Sequence, residues 1–446
     1  MDQATGITID VREEIANAPI GRYHCALALL VGTVVFFDGY DTFTPAYIIH
    51  YVAKPWHLLP SQAGFLVSSG LIGFMIGSLV QGNFSDRYGR RATLLVALWI
   101  ATVFSFATAK LADSFVTFCG FRSLTGIGLG ALLPLGVTYV NEYAPRRLAN
   151  TFSNWGWALG WAAGGVVAAA IGVFLTPALG WQVLYYVASL SVLLVLVCHF
   201  VLSESLQFAA MRGETAGVAV ILCRLNPSRS SRYQAPGVRF VFPEPNDRVA
   251  SISLLLSRRY RRTTLAVWVA AFFILFGIFG LTGWVPTAMM QRGEAFATSF
   301  GFGALIQVMA FVGSLVCGYI ADRGGKDRAA IAVWWLGGAL AAGILALVNH
   351  HATNVVCVGA AGFCILGGQN VLNNFTAASY DTEVRGTAVG MMLGVGRFGG
   401  ILGPFVTGVL QQITRGTAGL FVGIGVAALI GAGAITFARP RLPPGA

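Results

Sequence analysis

Two acidic side chains stand three residues apart in an otherwise apolar run, Phe36-Phe37-Asp38-Gly39-Tyr40-Asp41-Thr42. Residues so spaced share one face of a helix, so Asp38 and Asp41 are predicted to point into one cavity. If the run crosses a bilayer, an ionised Asp at its middle costs about 2.5 to 3.5 kcal/mol, so two close together imply a function or a nearby cation. Closeness and desolvation both favour keeping a proton on at least one of them, which makes the pair a candidate proton carrier. The plainer alternative is that one is a packing group hydrogen-bonded to a neighbour. Two arginines, Arg122 and Arg397, also fall inside apolar runs, one in each half of the chain. A guanidinium fork binds a carboxylate bidentately, so each is either a ligand for an anion or the counter-ion of Asp38 or Asp41. Arg397 is expected in the first role, and for Arg122 both roles stay open. Trp284, Phe276 and Gln307 are expected to line the same cavity, with the amides Gln369, Asn370, Asn373 and Asn374, since flat walls and a few amides suit a hydroxylated ring.

The elements that must position these groups follow from composition. The chain has 446 residues, 56% of them hydrophobic and 11% charged, too apolar for one water-soluble core. Runs of about 20 apolar residues recur throughout, each long enough to cross roughly 30 Å of hydrocarbon as a helix. Twelve spans are predicted, at 23–50, 61–82, 91–110, 114–140, 148–175, 181–202, 263–290, 296–320, 329–348, 353–378, 386–412 and 417–438. The fold class is an all-α membrane protein. A β-barrel would show short alternating segments, whereas the 56 glycines sit mostly within continuous apolar runs, where they permit close helix packing.

With the N-terminus inside, only Lys54, Lys110, Arg292 and Arg415 of the 29 basic residues fall on the outer side. Both termini are therefore expected in the cytoplasm, and the net charge of +11 reflects topology, not nucleic-acid binding. Ten arginines between Arg212 and Arg262 are in a position to meet anionic lipid headgroups. The seven cysteines form no CxxC pair, so neither disulfides nor a metal site is expected. The first residues carry Asp10, Glu13 and Glu14 and not a basic leader, so no cleavage is expected. His50, His57, His350 and His351 fall near the outer ends of spans and read as wetted surface. No GxxxxGK[ST], HExxH or GxSxG in a suitable setting appears, which argues against an enzyme or an ATP-driven pump within this chain.

The organisation is a cytoplasmic N-terminus (1–22), a six-helix half (23–202), a polar cytoplasmic loop (203–262), a second six-helix half (263–438) and a cytoplasmic tail (439–446). Between the second and third spans of each half a GxxxDRxG segment followed by a base recurs. The first copy carries Gly82, Asp86, Arg87, Gly89 and Arg90, and the second Gly318, Asp322, Arg323 and Gly325. Matched motifs at matched places indicate duplication, a known transporter architecture. Asp86 is placed to face a helix N-terminus, and Arg87, Arg90 and Arg91 to bridge to acids such as Glu142, contacts that would hold the cytoplasmic side shut.

The doubled motif, the two six-helix halves and the long central loop resemble the major facilitator superfamily over essentially the whole chain. Arg122-Ser-Leu-Thr-Gly126-Ile-Gly-Leu-Gly130 is similar to that superfamily's RxxxGxxxG segment, whose arginine is often tied to proton coupling. The segment Gly156 to Gly165 lacks the proline of its antiporter signature, which points towards symport or uniport. Asp38-Gly-Tyr-Asp41 and Gly394-Val-Gly396-Arg397-Phe-Gly399 resemble the aromatic acid/proton symporter family. The resemblance implies import of a benzoate- or hydroxybenzoate-type acid, or a related ring-cleavage acid, together with protons, feeding aromatic compound catabolism. It implies an essential role for Asp38 and Asp41 and no cofactor beyond the proton. A proton symporter for another organic anion or a sugar is the alternative, though a sugar needs no pair of midplane arginines; a non-transporting membrane sensor is a third. Arginine outnumbers lysine 26 to 3, with abundant Ala and Gly, which suggests a GC-rich bacterial genome and an inner-membrane location. A functional monomer is expected.

Overall fold

The computed structural model describes residues 8–19, 21–143, 160–206, 208, 215–235, 237–241, 252–324 and 327–439. Helices α1 (Arg22–Val52), α2 (Pro60–Tyr88), α3 (Arg90–Leu111) and α4 (Phe115–Tyr143) are followed by α5 (Gly160–Phe174) and α6 (Gln182–Val201). After the central segment come α7 (Arg261–Gln291), α8 (Phe296–Gly324), α9 (Asp327–Leu347), α10 (His351–Ala378), α11 (Thr382–Thr414) and α12 (Thr417–Thr436). Among the described residues, 11 of these are long and apolar enough to cross a bilayer. Helix α5 is the described part of the span expected at 148–175, whose beginning lies outside the described residues. Backbone groups in lipid must pair within their own segment, which is why the apolar runs become helices. Side chains such as Leu79, Phe200 and Leu340 face outward, where lipid is their solvent.

In the first half α2 and α3 pack on α4 and α1 on α5; in the second α7 packs on α11 and α9 on α12. Small residues set the α2/α4 distance. Gly73 and Gly77 of α2 sit against the backbone of Ser123 and Ile127, and Gly126 and Gly130 of α4 against that of Gly70 and Phe74, leaving no room for a Cβ at any of the four. The RxxxGxxxG segment is thus a packing surface as well as the carrier of Arg122.

Contacts between the halves run through α2 with α11, α5 with α8 and α1 with α7. Many lie away from the Arg-rich loops. Ser68 donates to the Ile401 carbonyl (2.6 Å), Tyr47 packs on Phe300 (5.1 Å between ring centroids), and Phe296 lies against Tyr51 and His50. Also on this side, Glu294 accepts from Asn354 (2.8 Å) and meets His351 Nδ1 (2.8 Å), while Arg292 donates to Asn354 Oδ1, Thr417 and the Leu345 carbonyl. His351 is exposed as expected, yet it belongs to this polar knot.

On the opposite side the structure departs from the all-helical expectation. Strand β1 (Thr8–Asp10) pairs in parallel with β2 (Arg239–Val241), Thr8 opposite Arg239. Glu14 accepts from Arg229 (2.9 Å) and Tyr233 (2.7 Å), with Arg232 at 3.5 Å. Ile9, Val11 and Ile15 join one apolar cluster with Ile221, Leu222 and Leu27, so the N-terminal segment and the central loop are strapped to the first half.

Gly126→Leu is expected to abolish the monodisperse folded peak in size-exclusion chromatography, since its side chain would have to displace the α2 backbone. Burial works to raise the Glu294 carboxyl, but hydrogen bonds from Asn354 and His351 and the charges of His351 and Arg292 outweigh it, leaving its pKa below the ordinary value. Its contribution to stability is present above that ordinary value and lost as the pH falls through the lowered one. The thermal midpoint should therefore drop on acidification, and Glu294→Gln should flatten that part of the curve.

Candidate functional site

Asp38 and Asp41 lie one turn apart on α1 and are both buried, but they have different partners. Arg122 Nη1 donates to Asp41 Oδ2 at 2.6 Å and Nη2 to the Asp41 carbonyl at 3.1 Å; Ser105 of α3 adds a hydrogen bond of 3.3 Å to Oδ1. The guanidinium also lies 5.3 Å from the Tyr185 ring centroid of α6, and Gly70 of α2 leaves it room. Both charged side chains are 3% exposed. A buried ion pair holds only where extra contacts meet the desolvation cost, and here α3 adds a hydrogen bond and α6 a ring face. Arg122 is the counter-ion of Asp41.

Asp38 has no such support. It is 1% exposed, and among the described residues neither carboxylate oxygen has a hydrogen-bond partner. The cation whose field reaches it is Arg397, on α11 of the other half. Arg397 lies 4.5 Å over the Phe74 ring of α2, and its Nη1 is buried without a hydrogen-bond partner among the described residues. Asp38 and Arg397 thus stand within electrostatic reach of one another across the two halves.

Arg397 also borders a cavity of about 260 Å³ between the two halves. The rings of Phe74, Trp161, Phe279 and Phe311 line it, as do the polar side chains Thr42, Gln307, Ser314, Gln369, Asn370 and Asn373. The α10 amides reach it directly after a π-helical turn at Gly362–Leu366, where one extra residue shifts the helix register. Of the residues predicted at the cavity, Arg397, Gln307, Gln369, Asn370 and Asn373 line it. Arg122, Asp38 and Asp41 do not, and all three are buried. Trp284 is a correction: it is 1% exposed in the core between α7 and α11, where its indole donates to the Pro404 carbonyl (2.9 Å). Asn374 is another, because one further step around α10 from Asn373 turns it outward to an exposed position. Phe276 is buried elsewhere. Phe74, Trp161, Phe279, Phe311 and Ser314 carry no sequence signal that separates them from packing or lipid-facing residues.

At the loop motif, the acid that gathers the chain is Glu204, just beyond α6. Its carboxylate accepts from the backbone N–H of Arg91 (3.1 Å) and Ser205 (2.9 Å), and its carbonyl from Tyr143 (2.8 Å). Arg91 donates to the His199 carbonyl (2.6 Å), and Arg90 feels the charges of Asp86 and Glu204. Gly89, at φ 94°, lies where a Cβ would come within 2.7 Å of Glu204 Oε2. Asp86 itself is exposed, and Gly82 and Gly318 face open space, so close approach explains only Gly89 in this conformation. Arg87 lies over Tyr88 and Arg323 over Tyr319. The side chains of Glu142 and Asp322, and Gly325, lie outside the described residues.

Residues 29–404 match the family model of the Major Facilitator Superfamily. A gallate transporter of Pseudomonas putida is 35% identical over 98% of this chain and 97% of its own length. The 4-hydroxybenzoate transporter PcaK of Acinetobacter baylyi is 32% identical, over 90% and 88% respectively. Among solved structures, the xylose transporter XylE from E. coli in a partially occluded inward-open conformation superposes with a TM-score of 0.73 at 16% identity, over 92% of this chain and 97% of that one.

Because Asp41 and Arg122 meet each other's charge, removing one leaves the other buried alone. Asp41→Asn and Arg122→Gln are each expected to destabilise the protein by about 3 kcal/mol or more. The double variant should recover part of that loss in a thermal-melt cycle, whereas additive losses would mean the pair is not coupled.

Proposed function

The chain belongs to the major facilitator superfamily, a multi-pass secondary transporter of the bacterial inner membrane, and we propose that it imports an aromatic carboxylic acid together with protons. The observation that carries this reading is Arg397, a cation on the wall of a ring-lined cavity whose field reaches Asp38 of the other half, with Nη1 and both Asp38 oxygens unpartnered among the described residues. The relatives' activities, gallate and 4-hydroxybenzoate transport, supply the substrate class.

In the proposed cycle a proton on Asp38 removes the negative charge that competes for Arg397, and the guanidinium is then free to take the substrate carboxylate. Loaded with both, the site carries one positive charge on Arg397 balanced by one carboxylate, and the halves rock past it without an uncompensated charge at the midplane. Release of the acid to the cytoplasm returns Arg397 to Asp38 as the proton leaves. Asp41 and Arg122 act at one remove: they fix the rotation of α1, which aims Asp38 at Arg397. Glu204, with the loop between α2 and α3, is the proposed cytoplasmic latch, and the contacts of Tyr47 with Phe300 and Ser68 with Ile401 close the outer side. The proton is the coupling ion, and since both halves of the site belong to one chain, the monomer is the working unit.

Uptake into proteoliposomes tests the reading with a panel of benzoate, hydroxybenzoates, a muconate and a hexose, with and without a protonophore. Wild type should accumulate an aromatic acid only without the protonophore. Asp38→Asn should lose accumulation at least tenfold while retaining counterflow exchange, and Arg397→Gln should lose both. Accumulation of the hexose alone, or protonophore-insensitive accumulation by wild type, would overturn the proposal.

A further inference from the structure

Arg397 and Phe74 belong to different halves, and each is rooted in its own. On α11, a Cβ at Gly399 would overlap the Phe272 carbonyl of α7; on α2, the Phe74 backbone lies where a Cβ on Gly130 of α4 would overlap its carbonyl. A turn of either helix would drive it into a neighbour's backbone. The two side chains meet where the halves do: the Arg397 guanidinium carbon stands 4.5 Å over the centre of the Phe74 ring, and both residues line the cavity. Asp38 lies within the field of that guanidinium, yet no hydrogen bond joins the two. A neutral ring, and not the carboxylate, holds the guanidinium in place.

Under the transport reading two anions compete for Arg397: the Asp38 carboxylate and that of the carried acid. An aromatic face attracts a cation, most strongly where both are desolvated, but it does not neutralise it. A ring therefore places the guanidinium and leaves its charge and its N–H groups for an anion. A carboxylate forked with it would take up both.

Resting on that reading, we propose that Phe74 is a positioning residue that keeps the Arg397 guanidinium at the cavity wall and out of a direct ion pair with Asp38. Without the ring the guanidinium turns to Asp38, and an incoming carboxylate must first break that pair. Loss of the ring thus weakens ligand binding only while Asp38 is there to take the cation.

The test is titration calorimetry of benzoate and the hydroxybenzoates on the full-length protein in lipid nanodiscs. Phe74→Leu should weaken binding about tenfold, and Phe74→Tyr, which restores the aromatic face, should stay within about threefold of wild type. Mono-, di- and trifluorophenylalanine at position 74 keep the ring's shape while weakening its negative face, so affinity should fall with each added fluorine. This series reads the same contact if Phe74→Leu fails to fold. In the Asp38→Asn background the loss from Phe74→Leu should shrink to about twofold or less. That readout separates positioning from direct packing on the ligand, since a ring that only touched the ligand would matter equally with either residue at position 38. Unchanged binding in a folded Phe74→Leu or across the fluorinated series would overturn the inference, as would an equal loss in Asp38→Asn. Each of these results leaves aromatic-acid transport standing, whereas wild type that binds none of the acids would remove the transport reading and this inference with it.

Discussion

A charge held at the depth of a bilayer has no water to share it, and much of the first half is arranged around meeting that demand for one pair, Asp41 and Arg122. The carboxylate comes from α1, the guanidinium from α4, a hydroxyl from α3, an aromatic face from α6 and the space from a glycine of α2. Tying these helices at one point fixes the rotation of α1. For Asp38, one turn earlier, the cation among the described residues whose field reaches it lies on α11 of the other half. The unsatisfied site between the halves follows from the satisfied one beside it.

The spans were legible because an apolar run of sufficient length in lipid has few alternatives to a helix, and the expected 23–50 and 263–290 lie within α1 and α7. The residue types of the site were legible too, since carboxylates and guanidinium groups in such runs are costly enough to need a reason. Their pairing was not. Whether Arg122 meets Asp38 or Asp41 depends on helix rotation and on a hydroxyl and a ring that look ordinary in sequence. Trp284 and Trp161 are the same residue in similar runs, yet one caps a backbone carbonyl in the core and the other lines the cavity. On α10 the π-helical turn shifts the register with no periodic signal, and a single step separates Asn373 in the cavity from Asn374 outside it.

Glu204 shows a second limit. The repeated loop motif reveals bases, glycines and its own acid, but the carboxylate that caps the start of α3 lies 113 residues from Arg91 and is one of several acids near a span end. What selects it is the positive φ at Gly89, which brings the chain close enough for that carboxylate and for no Cβ.

The parallel pairing of β1 with β2 sets an order of events in biosynthesis. Thr8 leaves the ribosome before the helices of the first half, but its partner Arg239 emerges only after them. This face of the half therefore cannot finish assembling while the half is being inserted, because Ile9, Val11 and Ile15 lack the partners Ile221 and Leu222 until the central loop is made. The strap closes last, around a half already seated in the membrane, and its closure registers that the central loop has stayed on the same side as the N-terminus.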